Sequence, residues 1–277
     1  MGDSAVISTL NNALTISDVI VDDSAAFMAS AGWRPLGNPV LAVDLDGDRC
    51  TDLVGIDARG AHLTPGLCNG RFDPYRLVTD APTPGLGDPA HPRRLADLDG
   101  DQRPDLVLFG ADGVTVARYD SENGTFGDFT LWIDQFGFNR AWRDDIGLFD
   151  DECPDAMKAT LHYGVHPRYL ADVDGDGLRD VVGFGGAGVY VASNRRDPDQ
   201  AGRRLFTGFA LYSDAFPLAD FTGPRLPGPH TIDFCRQYYM PRQVGDVNGD
   251  GRADFIGFAR DGVVYQLAPH LGEFQQP

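Results

Sequence analysis

Four stretches of this chain share one rhythm of apolar and polar positions. Each opens on a short apolar run: Pro39-Val40-Leu41-Ala42-Val43, Arg94-Leu95-Ala96, Tyr169-Leu170-Ala171 and Gln243-Val244-Gly245. An acidic segment follows, and a second run emerges from it, as in Asp180-Val181-Val182-Gly183-Phe184 and Asp254-Phe255-Ile256-Gly257-Phe258. The run breaks at Gly or Asp-Gly and resumes as Val189-Tyr190-Val191-Ala192-Ser193 or Val263-Val264-Tyr265-Gln266-Leu267. Short β-branched and aromatic runs parted by such turns are hairpin signals. A weaker fourth run, such as Leu205-Phe206-Thr207-Gly208-Phe209, ends the unit. The pattern predicts an all-β chain of four-stranded antiparallel repeats, with strands A to D in each, and such repeats read as the blades of a β-propeller. The blades are expected at about 38–80, 92–135, 167–215 and 241–277, within a single domain spanning 1–277.

The acidic segments between strands A and B carry the chemistry. They are Asp44-Leu45-Asp46-Gly47-Asp48-Arg49-Cys50-Thr51-Asp52, Asp97-Leu98-Asp99-Gly100-Asp101-Gln102-Arg103-Pro104-Asp105, Asp172-Val173-Asp174-Gly175-Asp176-Gly177-Leu178-Arg179-Asp180 and Asp246-Val247-Asn248-Gly249-Asp250-Gly251-Arg252-Ala253-Asp254. Oxygen side chains occupy positions 1, 3, 5 and 9, and glycine occupies position 4. A hard cation such as Ca²⁺ takes six to eight oxygens, and a tight loop supplies alternate side chains plus the carbonyl of position 7. That carbonyl belongs to Cys50, Arg103, Leu178 or Arg252. About four Ca²⁺ ions are therefore expected. The loops are not EF-hands, which need flanking helices and a Glu at position 12. Here position 12 is Gly55, Leu108, Gly183 or Gly257. The ions are expected to be structural, because uncompensated carboxylates packed this closely repel one another.

The loops start at residues 44, 97, 172 and 246, intervals of 53, 75 and 74. A minimal blade takes roughly 40–50 residues. The two longer intervals therefore hold insertions, near 143–163 and 217–238. Near the N-terminus, Val6–Asn12 resembles strand C and its exit, and Thr15–Ile20 reads as a strand D. Strands within 5–21 are thus expected to complete a blade and close the ring, or else a second copy of the chain completes the circle.

Phe184-Gly185-Gly186-Ala187-Gly188-Val189-Tyr190, together with the acidic loops, resembles the FG-GAP (VCBS-type) repeats of integrin-α-like propellers. Asn123-Gly124-Thr125-Phe126-Gly127, Phe136–Arg143 and His166-Pro167-Arg168-Tyr169-Leu170-Ala171-Asp172 are similar to the repeat of the Psathyrella velutina lectin type. That resemblance implies a calcium-containing propeller that binds N-acetylglucosamine and sialylated glycans in pockets between blades. The lectin family has seven blades, whereas four metal loops are present here. The Trp and His-Pro-Arg elements recur as Trp33 with His91-Pro92-Arg93, and only Pro241-Arg242 remains before the last repeat.

The formal charge is −18, and the four loops hold fifteen carboxylates. Four Ca²⁺ would bring the net charge to about −10. A nucleic-acid partner needs a basic footprint and is disfavoured. No run of 18 apolar residues is present, so no membrane insertion by a helix is expected. Met1-Gly2-Asp3 opens without the basic and apolar segments of a signal peptide. Of the four cysteines, Cys50 and Cys68 fall on one face of the same blade, and Cys153 and Cys235 fall in the two insertions. Two disulfides would suit an extracellular, secreted protein, and four reduced thiols are the alternative.

The sugar-site candidates are Trp142, Arg143, His166 and Arg168, with Trp33, His91 and Arg93 as the same constellation one junction earlier. Aromatic faces stack on pyranose rings, and Arg or His donates to hydroxyl or carboxylate groups. The alternative is that the tryptophans pack between blades. Trp132 sits in a strand D pattern and reads as core. The acids between Asp144 and Asp155 could mimic a catalytic carboxylate pair, but charge runs usually face water. No nucleophile elbow, zinc signature or phosphate loop is present, and no catalytic residue is assigned. The expected function is non-enzymatic glycan binding. The alternatives are an adhesive subunit docking a protein partner through the insertions, and a polysaccharide-active enzyme.

Overall fold

The computed structural model describes residues 38–79, 83–88, 91–140, 166–196, 204–216, 241–259 and 262–268, with Phe27, Trp33 and Trp142. The strands expected within 5–21, both insertions, Arg143, Cys153, Cys235 and the acids between 144 and 155 lie outside these residues.

The fold is all-β. The first sheet is a meander of β1 (Val40–Val43), β2 (Asp52–Asp57), β3 (Gly60–Thr64) and β4 (Arg76–Leu77). The second contains β5 (Arg93–Ala96), β6 (Asp105–Phe109), β7 (Val114–Ala117) and β10 (Thr130–Ile133). Between its third and fourth strands a small hairpin intervenes, β8 (Tyr119–Asp120) with β9 (Thr125–Phe126). The third sheet is β11 (Arg168–Ala171), β12 (Asp180–Phe184), β13 (Val189–Arg196) and β14 (Arg204–Ser213). The fourth contributes β15 (Arg242–Gly245), β16 (Asp254–Ala259) and β17 (Gly262–Gln266). Every sheet is antiparallel throughout.

The register of strands A and B is the same in all four sheets. The last residue of strand A faces position 9 of the loop: Val43 opposite Asp52, Ala96 opposite Asp105, Ala171 opposite Asp180 and Gly245 opposite Asp254. The proline before each strand A extends the ladder by one bond. Its carbonyl accepts the amide of Ile56, Phe109, Phe184 or Phe258 at 2.9–3.0 Å. A glycine begins strand C or immediately precedes it in every sheet: Gly60, Gly113, Gly188 and Gly262, with φ between 144° and 155°. At Gly113 and Gly188 a Cβ would overlap the backbone carbonyls of Ile133 and Ser213 in strand D. The glycine is what lets the outer strand come this close.

Consecutive sheets pack face to face. Leu106 and Leu108 of β6 point into a core shared with Val54, Ile56 and Leu63 of the first sheet. Val107 and Phe109 point the other way, into a core with Val181 and Ala192 of the third. Val182 and Phe184 then join Phe255 of the fourth sheet. A strand covered on both faces needs no polar alternation, and this explains the unbroken apolar runs of strand B. Neighbouring strands A also meet directly: the Tyr169 hydroxyl donates to the Arg242 carbonyl at 2.6 Å. Cys50 and Cys68 form the disulfide expected for the first sheet, with Cα atoms 5.2 Å apart. No helix among the described residues is long and apolar enough to cross a membrane.

Candidate functional site

Each acidic loop is wound by its own carboxylates. The position 1 side chain accepts two amides, one per oxygen. In the first loop Gly47 donates to Asp44 Oδ1 at 2.8 Å and Arg49 to Oδ2 at 2.9 Å. Asp97, Asp172 and Asp246 take the same two bonds. Reaching both amides requires left-handed backbone at positions 4 and 6. Position 4 is always glycine, with φ of 78–84°. Position 6 is Gly177 or Gly251 in the later loops but Arg49 (φ 72°) and Gln102 (φ 70°) in the earlier two.

Position 9 is a buried clamp. One oxygen of Asp52, Asp105, Asp180 or Asp254 accepts the amide seven residues before it, at 2.8–3.0 Å. The other accepts the amide fourteen residues after it, where strand C exits. Burial pushes the Asp105 and Asp180 carboxyls up to about 7, against the pull of those amides. Asp99 and Asp174 are raised too, first by burial and then by the neighbouring Asp101 and Asp176.

The donor set fits a hard cation. Ligand oxygens of Asp44, Asp46 and Asp48 lie within 4.8 Å of one another, as do those of Asp97, Asp99 and Asp101 and of Asp172, Asp174 and Asp180. The amides of positions 5 and 7 bond only one oxygen of each carboxylate at positions 3 and 5 in the first two loops, leaving the second for other partners. The loops differ in the cations they already hold. Arg195 pairs with Asp174 at 2.6 Å, and in the fourth loop Arg252 pairs with Asp250 at 2.5 Å. Arg103 reaches back from the second loop to the Asp46 carbonyl of the first.

The sugar candidates from the sequence sit inside the packing. Trp142 is 4 % exposed, with ring centroids 4.9 Å from Phe136, 5.7 Å from Tyr190 and 6.0 Å from His166. Its indole lies over the bare backbone of Gly183, where a Cβ would strike it. Trp33 is 6 % exposed, packed against Phe27 and His62, and donates to the Asn38 carbonyl at 3.1 Å. Arg168 is buried and donates to the carbonyl of Phe136 at 3.0 Å, with its guanidinium 5.7 Å from the Phe109 ring centroid. Arg242 repeats that contact on Phe184 at 5.5 Å. Arg93 donates to the Asp88 carbonyl, and buried His91 meets that of Gly85 at 3.1 Å. His166 is 2 % exposed. The Pro-Arg step thus pins the connector before strand A in the second, third and fourth sheets, and the visible work of these residues is packing.

Open aromatic surface lies one strand further out. A cleft of about 440 Å³ between the second and third sheets is lined by Trp132, Asp134, Gln135, Phe206 and Phe209 among others. Trp132 and Phe206, half-buried with ring centroids 6.0 Å apart, form its wall, and Asp134 is exposed at its edge. Trp132 was expected in the core. It packs on the second core's margin instead, because β10 is the outermost strand of its sheet. The sequence identifies Phe206 and Phe209 only as part of a strand D, since an aromatic there is equally suited to core or surface.

No protein-family model and no curated protein matches the chain. Among solved structures it is similar to a lectin from Agrocybe aegerita, described as specifically recognising non-reducing terminal N-acetylglucosamine. The TM-score is 0.64 and the identity 28 %, over 88 % of this chain and 53 % of the lectin. The V. cholerae biofilm matrix protein Bap1 aligns at 18 % identity and a TM-score of 0.27, over 83 % of this chain and 30 % of its own, too loosely to bear on the fold. The chain therefore spans about half the length of the lectin it resembles.

Proposed function

We propose that this chain is a non-catalytic glycan-binding protein, built as a calcium-stabilised propeller that takes sugars in clefts between adjacent sheets. The observation that carries the reading is the likeness to a lectin that recognises terminal N-acetylglucosamine, at 28 % identity over 88 % of the chain. The succession of sheets packed face to face through alternating strand B residues supports a propeller. Its closure, within one chain or through a second copy, belongs to the same proposal.

The cleft at Trp132 and Phe206 is the sugar site in this reading. Its aromatic wall offers a face to the pyranose C–H surface, and Asp134 and Gln135 offer acceptors to hydroxyl groups. A cation bound in each loop supplies positive charge to carboxylates that otherwise repel. The side chains of positions 1, 3 and 5 would hold it, with the position 7 carbonyls of Cys50, Arg103, Leu178 and Arg252 and the remaining lone pairs of the position 9 clamps. The ions stiffen the joint between strands A and B and do not touch the sugar. The Cys50–Cys68 disulfide supports an extracellular setting.

A glycan array probed with the calcium-loaded protein, with the EDTA-treated protein and with Trp132→Ala tests all three parts. Binding of N-acetylglucosamine-terminated glycans, lost in Trp132→Ala at unchanged stability, is the expected result. Array silence from a folded, calcium-loaded protein refutes the lectin reading. Equal binding by Trp132→Ala moves the sugar to another cleft.

A further inference from the structure

We propose that the cavity at the N-terminal ends of β1, β5 and β11 binds a small oxyanion on the guanidinium of Arg94. The cavity holds about 250 Å³ and is walled by the prolines that precede the three strands, Pro39, Pro92 and Pro167. Among the described residues, no Asp or Glu lines it. In a chain of net charge −18, a cavity whose charged lining among the described residues is basic stands out.

Arg94 has the same register position in its sheet as Leu41, Tyr169 and Gln243 in theirs. The fold therefore does not require a charge there. Leu41 meets the demand with apolar packing against the first core. The Arg94 guanidinium is partly buried, and its one hydrogen bond among the described residues runs from Nη1 to the Arg93 carbonyl at 2.9 Å. No carboxylate among the described residues pairs with it. The nearby Tyr169 hydroxyl is already committed to the Arg242 carbonyl. A guanidinium carries five N–H donors in a planar fork that matches the oxygens of a carboxylate or phosphate. A cation withdrawn from water without a counter-charge is costly, and an anion in the cavity removes that cost.

The other lining cations are already engaged. Arg93 donates to the Asp88 carbonyl and Arg168 to that of Phe136, both turned into the packing around their own strands. They raise the local positive potential, while Arg94 offers the open donors. The volume limits the ligand to a compact molecule, an inorganic oxyanion or a short carboxylate.

The test is isothermal titration of the full chain with inorganic phosphate and, separately, with acetate, against sodium chloride at matched ionic strength. Saturable binding of one oxyanion per chain is expected, weakened about tenfold or more in Arg94→Leu. Preference for phosphate assigns a tetrahedral anion, and preference for acetate a carboxylate. Arg94→Gln retains side-chain volume without charge and carries the same expectation should the Leu variant fold poorly. No saturable binding by the wild-type protein overturns the proposal, as does equal binding by either folded variant. Glycan binding by the Arg94 variants is expected to be unchanged, which separates this site from the sugar cleft.

Discussion

Replacing Trp142 with alanine separates the two roles that its neighbourhood permits. The indole is 4 % exposed and boxed by Phe136, Tyr190, Phe209 and His166. A buried aromatic of this kind hides roughly 150–250 Å², which at about 25 cal/mol per Å² amounts to roughly 4–6 kcal/mol. Alanine keeps part of that area buried while the residual cavity adds a cost, and aromatic-to-alanine changes in cores come to about 3–5 kcal/mol. Gly183 offers no side chain to fill the space, so relaxation must come from Phe136 or Phe209. The assay is urea denaturation followed by far-UV circular dichroism, with calcium present throughout. Trp142→Phe is expected to lose less than half as much. Sugar affinity per folded molecule is expected to hold in both variants. A destabilisation below about 1 kcal/mol, accompanied by a tenfold loss of sugar affinity, would refute the packing role and make the indole a ligand contact.

Three further outcomes follow from the loops and the disulfide. Cys50→Ser with Cys68→Ser opens a link across 18 residues and should cost about 3 kcal/mol by chain-entropy arithmetic, measured as a shift in the urea midpoint. Gln102→Gly relieves a left-handed non-glycine residue and should stabilise the protein by about 0.5–1 kcal/mol; a destabilisation of that size would mean the side chain does more than adopt the turn. Burial raises the Asp105 and Asp180 carboxyls from 3.8 to about 7, so their contribution to stability is present below about pH 4 and is lost as pH rises through 7. Urea titrations in EDTA should therefore show stability falling between pH 5 and 7.5 by on the order of 2 kcal/mol for each of the two carboxyls, and calcium should flatten the slope; a rise across that window in EDTA contradicts it.

What the sequence disclosed is what it repeats. The acidic loop appears four times with one internal pattern, so the strands on either side of it could be read without coordinates. The Cys50–Cys68 pairing followed from the same logic. Trp142 and Trp33 were ambiguous for a physical reason: a flat apolar ring between two sheets has the same sequence signature whether it covers Gly183 or a pyranose. The distinction for Trp142 lies in burial, which depends on Phe209, distant in the chain, as well as on nearby Phe136. His-Pro-Arg read as sugar chemistry because arginine suits both hydroxyls and backbone carbonyls, and Arg168 takes the carbonyl of Phe136. Arg94 passed unnoticed beside Arg93, since only strand alternation separates the side chain that pins the connector from the one with open donors at the cavity. The hairpin of β8 and β9 was missed because two-residue strands leave no periodic trace.

The position 9 clamp bears on how the chain folds. One carboxylate joins an amide seven residues upstream to another fourteen downstream, so three strands are tied within about twenty residues of sequence. Contacts that local form early and rapidly, and each sheet can close before the next has left the ribosome. Opening should then proceed sheet by sheet from whichever face lacks a neighbour, giving hydrogen exchange in steps along the chain and no single barrier shared by every amide.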